Sequence, residues 1–227
     1  MLALPTSSSM NFTPDVFISC RRSHLDAQLG RVKGNLRGDV LDVGGRKNRR
    51  RGGFVPPLES VRSWTIVNPD ETAGADVCAA LPVLPFSNSE FDFVLCTEVL
   101  EYIQAPASAV KELARVLRTD GTLYLSVPFL HVLHGDAEID RVRFTVTYIR
   151  ELVEAYFYHV EIFPMGGIAS VVFDLVWQRM RRRPLLRPIF RILGHWITRG
   201  QHTAVDITTG FFVVARVPKI GQSSSLP

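Results

Sequence analysis

The sequence predicts a three-layer α/β sandwich on a mostly parallel sheet, and three observations lead there. Short apolar runs rich in β-branched residues alternate with amphipathic stretches of helical period. One run, Val40 to Val43, ends in Gly44-Gly45 and turns abruptly polar at Arg46-Lys47-Asn48, as a buried strand does where it enters a tight loop beneath a ligand. The 227 residues, 46% hydrophobic and 21% charged, suit one such domain with a sizeable core. Right-handed crossovers would then place ligands at the carboxyl ends of the strands.

The elements follow in order. Asp15 to Leu36 reads as a helix, with Phe17, Ile18, Leu25, Leu29 and Val32 at helical spacing and Gly38 beyond it. In the strand that follows, Asp42 needs partners within an apolar run, and the N–H groups of the next loop are its natural donors. Gly44 and Gly45 remove the Cβ atoms that would hold a ligand off the backbone. Arg46 to Ser60 reads as a loop, because Pro56 and Pro57 would cut a helix short. Val61 to Val67 is a second strand ending at Asn68-Pro69-Asp70, Ala75 to Ala80 a short third, and Phe91 to Cys96 a buried fourth. Ser108 to Arg118 sets Val110, Leu113, Ala114 and Leu117 against Lys111, Glu112, Arg115 and Arg118, an amphipathic helix. Thr122 to Val127 is the fifth strand. Thr147 to Tyr156 is a helix capped by Thr145, Tyr158 to Phe163 a sixth strand and Phe211 to Arg216 a seventh.

Three cysteines (Cys20, Cys78, Cys96) give no disulfide framework and no zinc spacing, which fits a reducing, cytoplasmic location. Residues 1–14 and 219–227 read as disordered tails, the first without the basic and apolar regions of a signal peptide. No run reaches the ~18 apolar residues of a membrane span. The net charge of +4 is uneven, with basic clusters at Arg46–Arg51 and Arg179–Arg191. Such clusters suit nucleic acid or anionic lipid, but the modest total and the lack of any nucleic-acid motif leave no nucleic acid expected.

The order of the blocks carries more than any one of them. Asp42-Val43-Gly44 is followed by Leu84-Pro85-Phe86, by Phe91-Asp92-Phe93-Val94-Leu95-Cys96-Thr97-Glu98-Val99-Leu100-Glu101, and by Arg115-Val116-Leu117-Arg118-Thr119-Asp120-Gly121 leading into Leu123 to Pro128. In this order the chain, over residues 16 to 217, resembles the small single-domain class I S-adenosylmethionine-dependent methyltransferases. The resemblance implies a Rossmann-like α/β/α sandwich, a seven-stranded sheet whose last strand is antiparallel, and a methyltransferase-like domain over 15–218. It implies S-adenosyl-L-methionine (SAM) as cofactor, met by Asp42, Gly44 and Gly45, by Asn68 where an acid usually takes the ribose, by Ala80 and Leu81 at the adenine, and by Cys96 and Thr97 beneath the methionine part. Arg46, Asn48, Asn68 and Ala80 depart from the family's usual residues. Glu98 and Glu101 are read as cofactor-side acids or as acids favouring a helix start.

After the fifth strand come His131, His134 and Asp136. His131 and His134 are the candidate general bases, with backbone-bonded loop histidines as the bland alternative. Residues 168–199 form the other distinctive stretch: an apolar run interrupted by Asp174, four arginines, then Leu185 to Ile197. Here Arg187, Arg191 and His195 lie on one helical face, with Leu186, Ile189, Phe190, Leu193 and Ile197 largely opposite. An inserted lid or packing helix is the favoured reading, and peripheral membrane contact through 184–199 the other. The expected function is O-methylation of a small-molecule acceptor such as a sugar or lipid-linked group. The alternative is a non-catalytic methyltransferase-like binding protein with a degenerate cofactor site.

Overall fold

The computed structural model describes residues 19–47, 52–133, 139–180, 185, 187–199 and 205–219. The chain runs α1 (Cys20–Val32), β1 (Asp39–Val43), β2 (Ser63–Val67), β3 (Phe91–Thr97), α2 (Pro106–Val116), β4 (Leu117–Pro128), α3 (Val146–Glu154), β5 (Phe157–Pro164), α4 (Ile168–Met180), α5 (Arg187–Arg199) and β6 (Gly210–Pro218). The predicted tails, apart from Lys219, lie outside the described residues, as do residues 15–18 of the first predicted helix and residues 48–51 of the loop after β1.

Six strands form one sheet in the order β2-β1-β3-β4-β6-β5. β1, β2, β3 and β4 pair in parallel. The last strand, β6, is antiparallel to both β4 and β5, as the family resemblance implied. The predicted third strand, Ala75–Ala80, does not form, so the sheet has six strands where seven were expected. That stretch makes single bridges, Val67 with Val77 and Ala80 with Val83, and its side chains are mostly outside the core. It runs alongside β2 without enough apolar surface to hold a ladder.

Period-two alternation splits the sheet's side chains between two layers. Leu41, Val43, Val94, Cys96, Leu123, Leu125, Val127, Phe211 and Val213 pack with α2 and α3. Val40, Phe93, Leu95, Tyr124, Phe212 and Val214 pack with Leu25, Leu29 and Val32 of α1. β4 is buried without a break from Gly121 to Pro128, and β6 from Gly210 to Ala215, as central strands covered on both faces must be.

The helix starts explain the element boundaries. Pro106 opens α2, where its missing N–H costs nothing. Thr145 accepts a hydrogen bond from Tyr148 N (3.2 Å) and caps α3, as expected from the sequence. At α1 the N–H groups of the first three residues, which have no partner in the helix itself, are all met. The Ser19 side chain takes Arg22 N (3.1 Å), and its carbonyl accepts the helix's first internal bond from Ser23 N (3.1 Å). The Asp174 carboxylate, brought in by α4, takes Cys20 N (2.7 Å) and Arg21 N (2.9 Å). One buried acid therefore joins two helices far apart in sequence. At the amino ends of the strands, Asp39 and Asp92 are closed by Arg62 and Arg118, at the opposite end of the sheet from Gly44.

Candidate functional site

The carboxyl ends of β1, β2 and β3 meet around Gly44. Gly44 has a φ of +79°, donates its N–H to Val67 O (2.8 Å), and leaves no room for a side chain: a Cβ would lie 2.5 Å from Val99 Cγ2. A Cβ on Gly45 would run into the Asp42 carboxylate. The two glycines are thus demanded by the turn and by their protein neighbours, before any ligand is considered. Gly44→Val is expected to cost about 1–3 kcal/mol of stability from backbone strain alone. Denaturant midpoints and cofactor titration on the same sample separate that loss from a loss of binding. A folded variant that binds SAM like the parent places the ligand elsewhere.

Asn68 is turned inward. Its amide NH2 donates to Gly44 O (3.1 Å) and Gly45 O (3.0 Å), while its carbonyl oxygen accepts from Asp70 N (2.9 Å). The reverse orientation would set the amide oxygen against two carbonyls, so the chemistry fixes the assignment. With both N–H groups used, Asn68 shapes the glycine loop beside the place expected for the ribose. Asp70 accepts from the Thr72 hydroxyl (2.6 Å), pairs with Arg46 (2.6 Å) and caps its own turn through Thr72 N (2.9 Å), which hold its carboxyl below the usual range. Lys47 pairs with Asp76. The basic start of the loop is therefore fastened onto the β2 side.

Cys96 is fully buried among the α2-side core, its thiol pushed up by burial, so its side chain packs in the core. Leu81 is likewise in the core, whereas Ala80 is exposed beside Val83. Asp42 and Thr97 stay half-buried at the strand ends.

The residues that the sequence left ambiguous form the most charged part of the site. Glu98 follows β3 with a φ of +60°, a costly conformation for a side chain of this length. It is held there by Glu98 N to Ser126 O (3.1 Å), by Ser126 Oγ donating to its carboxylate (2.8 Å), and by an ion pair with Arg21. Arg21 is buried; its guanidinium is lowered to about 10 by burial, against the pull of Glu101 and Asp174, and stays charged at neutral pH. Glu101 is fully buried, and its backbone carbonyl accepts from Arg141 N and Val142 N. Burial raises the Asp174 carboxyl to about 6 although Arg21 and the two N–H groups at the start of α1 oppose the shift. No local signal marks Arg21 in the sequence, and Asp174 shows only as an interruption of an apolar run, because each acts on residues distant along the chain.

His131 Nδ1 lies 3.0 Å from Val132 O, and Nε2 faces Asp174 Oδ2 at 3.7 Å. Its ring is almost wholly buried under α4, so the imidazole is not open to an acceptor in this arrangement. His134 and Asp136 lie outside the described residues. No cluster of potential metal ligands occurs among the described residues.

A parallel sheet with one antiparallel strand, a glycine turn after β1 and charged residues beyond β3 define a methyltransferase-type fold. Residues 64–125, from β2 into β4, match the family model of the methyltransferase domain. The chain has the fold of the class I SAM-dependent methyltransferases. It is similar to a phosphoethanolamine N-methyltransferase of Haemonchus contortus in complex with phosphomonomethylethanolamine and S-adenosylhomocysteine (16% identity, TM-score 0.59, 90% of this chain and 55% of that one). It is also similar to a possible histamine N-methyltransferase of Thermotoga maritima (17%, TM-score 0.54, 87% and 91%) and to the [4+2]-cyclase SpnF (16%, TM-score 0.53, 90% and 84%). The chain spans about half the length of the Haemonchus protein. No curated protein matches the sequence.

Proposed function

We propose that this chain is a SAM-dependent methyltransferase acting on the oxygen of a small acceptor, such as a sugar or a lipid-linked group. The observation that carries the reading is Glu98, held at φ +60° where β3 meets the Gly44 turn. Strain of this kind gathers at ligand sites and persists only where neighbours impose it. The methyltransferase-domain match over residues 64–125 supports the same reading.

The residues fit the cofactor. Gly44 and Gly45 offer a turn without side chains, and Arg21, Glu98 and Asp42 provide the opposite charges that suit a zwitterionic amino-acid end. Thr97 adds a hydroxyl at the same strand end. When bound, SAM supplies both the methyl group and its leaving group. The chain's part is to hold acceptor and donor in line, which accounts for about 7–11 kcal/mol of barrier in favourable cases. Proton removal from the acceptor falls to the loop after β4, to His131 or His134, and His131 becomes reachable only with α4 displaced.

A second reading, a non-catalytic binding protein, is favoured by Asn68 and Asp70. Both polar groups, where a ribose would sit, are already engaged with Gly44, Gly45 and Arg46. The fold alone does not decide, since function lives in sites, and one structural neighbour is a cyclase. Calorimetric titration with SAM and S-adenosylhomocysteine separates the two. Saturable heat and a raised melting temperature are expected; no heat and no thermal shift with either nucleotide leaves the binding-protein reading in place.

A further inference from the structure

We propose that the α4–α5 ridge is a docking surface for an anionic lipid bilayer, with α5 lying in the plane of the interface. α5 carries two apolar stripes. The inner one, Phe190, Gly194 and Ile197, closes a small cluster with Cys20, Phe173 and Trp177, where the Phe190 ring packs tilted against Phe173 and Trp177, its centroid 5.7 Å from each. The outer one, Ile189, Ile192, Leu193 and Trp196, is spaced i, i+3, i+4, i+7 and faces solvent, 63%, 63%, 48% and 71% exposed. A helix that only packs on its domain has no use for the second stripe. α4 repeats the pattern: Val171, Phe173, Asp174 and Trp177 turn inward, while Ile168, Val172, Leu175 and Val176 stay exposed and lead to exposed Arg179.

Charge identifies the occupant. Between Asp174 and Asp206 the sequence holds seven arginines and no acid, more than the whole net charge of +4, so the remainder of the chain is net negative. A second copy docked on a two-fold axis would bring like charges of this arginine-rich stretch, exposed Arg179 and Arg199 among them, together without an acid to meet them. A nucleic acid would meet the charge but would leave the isoleucine and leucine stripe in water. A bilayer rich in anionic headgroups satisfies both: exposed Arg179 and Arg199 at the phosphates, Trp196 at the headgroup level, aliphatic side chains at the acyl boundary. The 13-residue α5 rises only about 20 Å, too short for a hydrocarbon core of about 30 Å, so it lies on the membrane without crossing it. No helix among the described residues is long and apolar enough to cross one.

The ridge also borders the site. α4 and α5 both pack on α1, whose start is capped by Asp174 and whose Arg21 pairs with Glu98. Bilayer docking would set the carboxyl ends of the strands near the membrane surface. Docking does not depend on methyl transfer, so vesicle binding and SAM binding succeed or fail separately.

The test is co-sedimentation of the full chain with vesicles of phosphatidylcholine alone and of phosphatidylcholine containing phosphatidylglycerol. Binding to the anionic vesicles is expected to be at least about tenfold stronger and to weaken with added salt. Ile189→Ser/Trp196→Ser, at exposed positions, is expected to keep the parent's melting temperature and lose about tenfold in vesicle binding; Arg199→Glu should weaken it as well. Equal binding to both vesicle types, or a double variant that binds like the parent, overturns the proposal. So does a dimer that the double variant dissolves, or RNA binding without vesicle binding.

Discussion

Arg21→Met is expected to destabilise the fold by about 3–5 kcal/mol, because it removes the cation from a buried group of acids. Arg21 pairs with Glu98, and the charges of Glu101 and Asp174 act on it, in a largely buried region. Met fills much of the same volume without strain, so the loss is mainly electrostatic. Urea unfolding at neutral pH should show a lower midpoint at an unchanged slope. The deficit should shrink as pH falls, because protonated carboxyls no longer need the guanidinium. Adding Glu98→Gln to Arg21→Met should recover part of the loss, since it removes one of the uncompensated charges. If Arg21→Met unfolds at the parent's midpoint, the acids are solvated and the group is not a closed network.

The sheet and its helices were legible because they depend on local pattern. Val40–Val43, Phe91–Cys96 and Thr122–Val127 are apolar runs that only a strand covered on both faces can use, and Thr145 is a cap recognisable from its own position. Ala75–Ala80 failed as a strand for the complementary reason. Its three alanines and an aspartate favour a strand little, and at the sheet's margin too few of its side chains face the core. The site was legible only in part. The sequence located the turn at Gly44-Gly45, yet it could not say that Asn68 would spend its amide on the carbonyls of that turn. It could not foresee that Val99 and Asp42 would fill the space the glycines leave. Arg21, Glu98 and Asp174 come together from three separate elements, and no spacing rule connects them. The outer stripe of α5 was hidden for a related reason. Ile189 and Leu193 share a face with Phe190 and Ile197 on a coarse helical projection, and only packing on Phe173 and Trp177 decides which of them are covered.

Asp174→Asn is expected to remove a stabilisation that the site gains from acid. In the parent, burial raises the Asp174 carboxyl from 3.8 to about 6, so the folded chain binds this proton more tightly than the unfolded one. The resulting stabilisation is fully present below pH 3.8, declines as pH rises, and is gone above about 6. Two pH units correspond to about 3 kcal/mol, so parent stability relative to Asp174→Asn should fall by about that much across the window. The variant carries a constant cost as well. An amide has one acceptor oxygen to turn toward Cys20 N and Arg21 N, and its NH2 would face the other donor, a cap loss of about 1 kcal/mol. Because imidazoles titrate in a neighbouring range and His131 lies 3.7 Å away, the comparison should be repeated in a His131→Gln background. Denaturation midpoints of the four proteins from pH 4 to 7 supply the measurement. A parent-minus-variant difference that rises with pH would mean that the two N–H donors and Arg21 outweigh burial. In that case Asp174 is an ordinary ionised cap and not a carboxyl strained by its surroundings.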